Sequence, residues 1–231
     1  MMSRQEFSEL INLTKLYLNQ EAEAGLKEVL IEGNLKKKVD SSLEGLRAEM
    51  EGCQICPLGK ARLKVVFGVG DPQAQLMFVG EGPGYDEDHR GEPFIGRAGQ
   101  LLTKIIEAIG FKRSDVYIAN IVKCHPMIDP TQPESRGNDR KPSLDEINSC
   151  RPFLERQIKI IKPKIIVALG NVAAQTLLGL TEGIGALRGR FYDYQGIKLM
   201  PTYHPAALLR NPNFKKDVWE DMKMVRDELA K

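Results

Sequence analysis

The sequence predicts an α/β fold: a three-layer α/β/α sandwich on a central, mostly parallel four-stranded sheet. Three observations carry that prediction. Four short runs, 75–80, 116–121, 164–169 and 197–202, are continuously apolar rather than alternating, as strands are when helices cover both faces of a parallel sheet. Segments of helical periodicity near 97–109, 143–161, 171–178 and 215–229 alternate with these runs, the order that builds this architecture. Finally, the glycine-rich and polar motifs fall at the ends of the runs, where open α/β sheets bind ligands.

From the N-terminus, residues 1–40 are helix-prone, with Leu10, Leu13, Leu16 and Leu18 early and Lys36-Lys37-Lys38 late. Their composition differs from that of the remaining chain, so they read as a helical extension appended to a domain over 41–231. Leu43, Leu46 and Met50 have helical spacing and lead into Cys53. Pro142 followed by Ser143-x-x-Glu146 is a capping box that starts the helix near 143. The stretch 126–142, rich in Pro, Asp, Arg and Gly, is the one long irregular loop.

Composition narrows the class without naming an activity. Of the 231 residues, 42% are hydrophobic and 28% charged, as in ordinary globular proteins. No run approaches the roughly 20 apolar residues of a membrane helix, and the first residues lack a secretory pattern, so a cytoplasmic protein is expected. A formal charge of +2 is too small to announce a nucleic-acid binder. Any such contact must come from patches such as Arg188/Arg190 and Arg210/Lys215/Lys216.

The four cysteines are Cys53-x-x-Cys56, Cys124 and Cys150. A disulfide framework fits a chain of this size and expected compartment poorly. Scattered buried thiols are the bland alternative. Four thiolates would suit zinc or an iron–sulfur cluster by charge and softness, although one CxxC pair does not make a zinc ribbon.

Two further segments stand out. One runs Gly80-Glu81-Gly82-Pro83-Gly84, then Glu87-Asp88, then Pro93-Phe94-Ile95-Gly96-Arg97-Ala98-Gly99; the other is Thr202-Tyr203-His204-Pro205-Ala206-Ala207-Leu208-Leu209-Arg210-Asn211-Pro212. Together with Asn120, Arg188-Gly189-Arg190 and the cysteines, they resemble, in matching order over roughly 43–229, the family 4 uracil-DNA glycosylases, the iron–sulfur branch of that superfamily.

The resemblance implies hydrolysis of the N-glycosidic bond of uracil in DNA, without lyase action, leaving an abasic site for base-excision repair. It implies a [4Fe-4S] cluster on Cys53, Cys56, Cys124 and Cys150, in a structural role. His204 would donate, as a neutral ring, to uracil O2, since a buried cation costs desolvation. Asn120 would read the N3–H and O4 edge with its amide donor and acceptor. Phe94 would stack on the flipped base, and the Gly82-Pro83-Gly84 turn would bring backbone amides close.

In the best-studied glycosylase family an aspartate stands where this chain has Gly82. Glu81 is therefore expected to organise the pocket and Glu87 to contact the water, with Tyr85 or Glu87 crowding the C5 position. Leu208 would wedge into the vacated stack, with Leu209 as the alternative. Arg210, Lys215 and Arg190 would hold phosphates, which position the protein without reading sequence. The interval between Cys124 and Cys150 is longer than usual, by an insertion around 127–135, although Gly137-Asn138-x-Arg140-x-Pro142 survives. A related subgroup has a product-trapping histidine in this loop; this loop has no comparable histidine, since His125 directly follows Cys124, and no trapping role is expected of it.

A monomer is expected, and no segment identifies a sliding-clamp partner. Two rivals remain: a superfamily member specific for another deaminated base, and a non-catalytic iron–sulfur or zinc nucleic-acid-binding module.

Overall fold

In the computed structural model residues 42–231 are described. The helical extension expected over 1–40 lies outside the described residues. The strands are β1 (Val69–Gly70), β2 (Leu76–Gly80), β3 (Tyr117–Asn120), β4 (Ile165–Leu169), β5 (Tyr192–Tyr194) and β6 (Ile197–Thr202). The helices are α1 (Leu43–Glu51), α2 (Pro57–Ala61), α3 (Tyr85–Arg90), α4 (Arg97–Ala108), α5 (Leu144–Ile161), α6 (Asn171–Leu178), α7 (Ile184–Leu187), α8 (Pro205–Arg210) and α9 (Phe214–Leu229).

The strands form one sheet in the order β1-β3-β2-β4-β6-β5. Its centre is the expected parallel set, β3, β2, β4 and β6. The sheet has six strands rather than four, because β1 and β5 add short antiparallel edges. At two and three residues these edges are too short to show a period. The hairpin joining β5 to β6 turns through Gln195 and Gly196, both at positive φ (54° and 85°), as a two-residue type I′ turn requires.

Alternate residues of a strand face opposite sides, and here both sides are dry. Met77 and Val79 of β2 join a core with Leu43, Leu46 and Met50 of α1, Leu154 and Ile158 of α5, and Ala173 and Leu177 of α6. Leu76 and Phe78 join the opposite core with Leu102 and Ile106 of α4, Leu208 of α8, and Val218, Met222 and Val225 of α9. That division is the three-layer sandwich.

Helix starts follow local chemistry. Ser42 accepts from the Gly45 N–H at 3.0 Å to open α1. The capping box of α5 is present: Ser143 Oγ accepts from Glu146 N, and Glu146 Oε2 accepts from Ser143 N at 2.7 Å. Arg140 then grips the same carboxylate with two nitrogens, at 2.8 and 2.7 Å. This pins the return of the long loop. That loop is less irregular than the sequence suggests, because Met127 and Asp139 pair as an antiparallel bridge. Among the described residues, no helix is long and apolar enough to cross a membrane.

Candidate active site

All four parallel strands end beside one cavity of about 600 Å³. Glu81 and Gly82 follow β2, Asn120 ends β3, Gly170 and Asn171 follow β4, and Tyr203 and His204 follow β6. This is the strand-end location expected of α/β sheets.

Asn120 is buried, and its Oδ1 has no hydrogen-bond partner. A buried polar atom without a partner costs about 1–3 kcal/mol, so one facing a cavity is suited to a ligand. Gly80 has no room for a side chain, since a Cβ there would lie 2.5 Å from both Asn120 Oδ1 and Phe94 Cζ.

Phe94 is buried and sits at φ 54°, a conformation unfavourable for a bulky residue. Its neighbours impose that conformation. Glu87 Oε1 accepts from Ile95 N and Gly96 N, both at 3.0 Å, and Glu87 Oε2 accepts from Gly84 N at 3.2 Å. Arg113 donates to Pro93 O at 2.6 Å. Gly99 lets α4 close on this loop, because a Cβ there would fall 1.8 Å from Phe94 O.

His204 caps α8, its Nδ1 accepting from Ala206 N–H at 3.1 Å. The neutral ring therefore carries its proton on Nε2. Burial, with Arg210 adding to it, pulls the ring down to about 4, so it is neutral at ordinary pH. The ring lies 5.5 Å from that of Phe94 at 33°. Gly170, at φ 89°, leaves it space, since a Cβ there would come 3.0 Å from His204 Cβ.

The two glutamates differ in their surroundings. Glu87, expected to contact water, has both oxygens on backbone amides and organises the Phe94 loop instead. Glu81, expected to organise, lines the cavity, and no hydrogen bond to its carboxylate is found among the described residues. Burial raises its pKa, opposed in part by Lys141. Tyr85, expected near C5, instead stacks on His89 at 4.1 Å beneath the Arg136 guanidinium at 4.4 Å.

Leu208 does not reach solvent. It is 2% exposed and packs in the core, because α8 turns it toward α4, while Leu209 beside it is 42% exposed. Arg210 lines the cavity. Lys215 is exposed at the start of α9. Arg190 donates to Tyr192 Oη at 2.7 Å and, like Lys215, is not among the cavity's lining residues. Arg188 is committed to structure, paired with buried Asp221 at 2.7 Å, which also accepts from Thr202 Oγ1 at 2.6 Å.

Asp139 and Lys141, which the sequence did not single out, are delivered to the cavity by the bridged loop. The Gly137-to-Pro142 motif was the available signal. Asp139 is held from behind by the wholly buried His125, with Nε2 at 2.6 Å from Oδ1.

The four cysteines are free thiols: Cys124 and Cys150 buried, Cys53 and Cys56 half-buried against the same core. Among the described residues, no three His, Cys, Asp or Glu side chains are placed to chelate a single ion. The sulfurs nevertheless lie within electrostatic reach of one another, Cys150 sensing Cys56 and Cys53, and Cys124 sensing Cys150 and Cys56. Burial pushes the Cys124 thiol up to about 12 and raises Cys150 as well, so thiolates here need positive partners. Arg62 Nη1 donates to Cys124 Sγ at 3.2 Å, and the Lys123 backbone N–H donates to the Cys150 sulfur. Four soft sulfur donors met by cations suit an iron–sulfur cluster by charge and softness.

Residues 67–223 match the profile described as the uracil DNA glycosylase superfamily. The type-4 uracil-DNA glycosylase of Sulfurisphaera tokodaii is 43% identical over 195 residues, 80% of this chain and 84% of that protein. The type-4 enzyme of Saccharolobus solfataricus is 42% identical, covering 82% of this chain and 87% of that protein. That of Archaeoglobus fulgidus is 37% identical, covering 82% and 94%. With most of the chain inside that profile and aligned with nearly the whole length of these relatives, the chain belongs to the uracil-DNA glycosylase superfamily, in its type-4 family.

Proposed function

We propose that this protein hydrolyses the N-glycosidic bond of uracil flipped out of DNA, initiating base-excision repair. The observation that carries the reading is the unpartnered Asn120 Oδ1, buried at the cavity beside Phe94 and His204. Uracil offers it the N3–H, and the amide nitrogen can donate to O4. Cytosine presents the reverse pattern and would leave both groups unpaired, a mismatch that can reject a ligand by about 10⁴ or more.

The base must leave the stack before its reacting atoms are accessible. Leu209, the exposed member of the leucine pair, fills the vacated space, and Arg210 and Lys215 hold phosphates. Phe94 stacks on the base. As the bond from N1 to C1′ breaks, negative charge grows on uracil O2 and positive charge on the sugar. His204 Nε2–H meets the first, and one such donor is worth on the order of 10²–10³ in rate. Glu81 faces the second and orients the water, whose oxygen bonds to C1′ as its proton passes to the carboxylate while uracil leaves as the N1 anion.

Cys53, Cys56, Cys124 and Cys150 would hold a [4Fe-4S] cluster. When bound, it joins chain segments far apart in sequence.

The reading is tested with an oligonucleotide containing one uracil, opposite G, opposite A and single-stranded. Alkali-dependent breaks at uracil, lost in Asn120→Ala and His204→Ala, are expected. Intact uracil with release of hypoxanthine from an inosine strand would move the assignment to another deaminated base. DNA retention with no base release would leave a binding module.

A further inference from the structure

Lys123 is anomalous among the interior side chains. It is wholly buried, and Nζ donates to Gln157 Oε1 at 2.6 Å. Gln157 is held in that attitude by its other end, which donates to Phe67 O at 2.9 Å and Tyr117 Oη at 3.3 Å. A neutral amide fixes the ammonium in place but does not balance its charge. A buried cation normally requires an anion. The ionisable groups within reach of this one, among the described residues, are Cys150 and Cys124.

Arg62 repeats the pattern from the other side. One nitrogen donates to Cys124 Sγ at 3.2 Å, and the other donates to the carbonyls of Met50 and Glu51 at 3.2 and 2.7 Å. Its partners are one thiol and two neutral acceptors. Two cations thus meet at the cysteines with no carboxylate opposite either of them among the described residues.

We infer that Lys123 and Arg62 are the counter-charges of an anionic iron–sulfur cluster held by Cys53, Cys56, Cys124 and Cys150, and that they set its retention and its reduction potential. The inference rests on the cluster reading above. It needs no proton transfer: both side chains act as fixed positive charges. Cluster potentials depend on net charge and on hydrogen bonds to the sulfurs. A nearby cation favours the reduced state, so removing one should drive the potential negative. Partners outside the ligand shell of a metal typically contribute about 10–100-fold to its affinity.

The test uses full-length protein purified without air, as wild type, Lys123→Met and Arg62→Met. Iron and sulfide content and absorbance near 400 nm establish the wild-type cluster. Voltammetry then reads its potential, and a chelator challenge reads iron release. Both variants should show a more negative potential and iron release faster by about 10-fold or more. Faster release with an unchanged potential would mean the side chains only support the fold, and would overturn the inference. A wild-type protein without iron would overturn the cluster reading and this inference with it. Iron present, with potentials unmoved in both variants, would sink the inference alone. If Lys123→Met does not accumulate, Arg62→Met, at a half-buried position, decides the matter through the same potential.

Discussion

Burial acts in opposite senses on Glu81 and His204, and both end nearer their neutral forms. It raises Glu81 above its ordinary value and lowers His204 to about 4. As pH falls, the carboxylate is therefore the first of the two to take a proton. If ionised Glu81 orients the water, single-turnover excision should decline through the raised pKa of Glu81. Lys141 opposes that rise, so Lys141→Ala should move the acidic limb to higher pH, and Glu81→Gln should abolish the limb along with most of the rate. A limb unmoved by Lys141→Ala would remove Glu81 from that role. At this scale the meeting of His204, Asn120 and Phe94 at one cavity was legible, because their motifs fall near strand ends. The surroundings of the glutamates were not, since which backbone amides a carboxylate meets is decided by how the 84–96 loop folds back.

Helix and loop pairs carry the next level. The leucines of α8 look equivalent in sequence, but packing separates them. Leu208→Ala should cost about 2–5 kcal/mol as a core cavity, seen in thermal unfolding. Leu209→Ala should leave unfolding unchanged while slowing excision from duplex more than from single-stranded DNA. The Phe94 loop is strained and held by one carboxylate, so Glu87→Ala should release three amides and weaken substrate handling, with Glu87→Gln rescuing it in part. Steady-state kinetics on a uracil oligonucleotide would show this as a rise in KM together with a fall in kcat. The long strands and helices were readable from periodicity to within a residue or two. The edges β1 and β5 and the short helices α2, α3, α7 and α8 were not, because two to six residues hold too little of a period.

Over the whole molecule, a formal charge of only +2 means that affinity for DNA must come from few, local contacts. Removing Arg210 or Lys215 should each reduce the slope of log affinity against log salt by about 1, without altering base preference. The layer order was legible because every central strand is apolar on both faces. The convergence of Asp139 and Lys141 on the cavity was not, since it depends on a bridge within a loop that carries no repeat. Glu81, Phe94, Asn120 and His204 come from separate segments of the chain and meet only where the parallel strands end. Each segment alone lacks the groups that the others bring, so a partly folded molecule should not excise uracil. Catalysis switches on with completion of the sheet, so during denaturant titration the loss of excision should track the loss of strand structure itself.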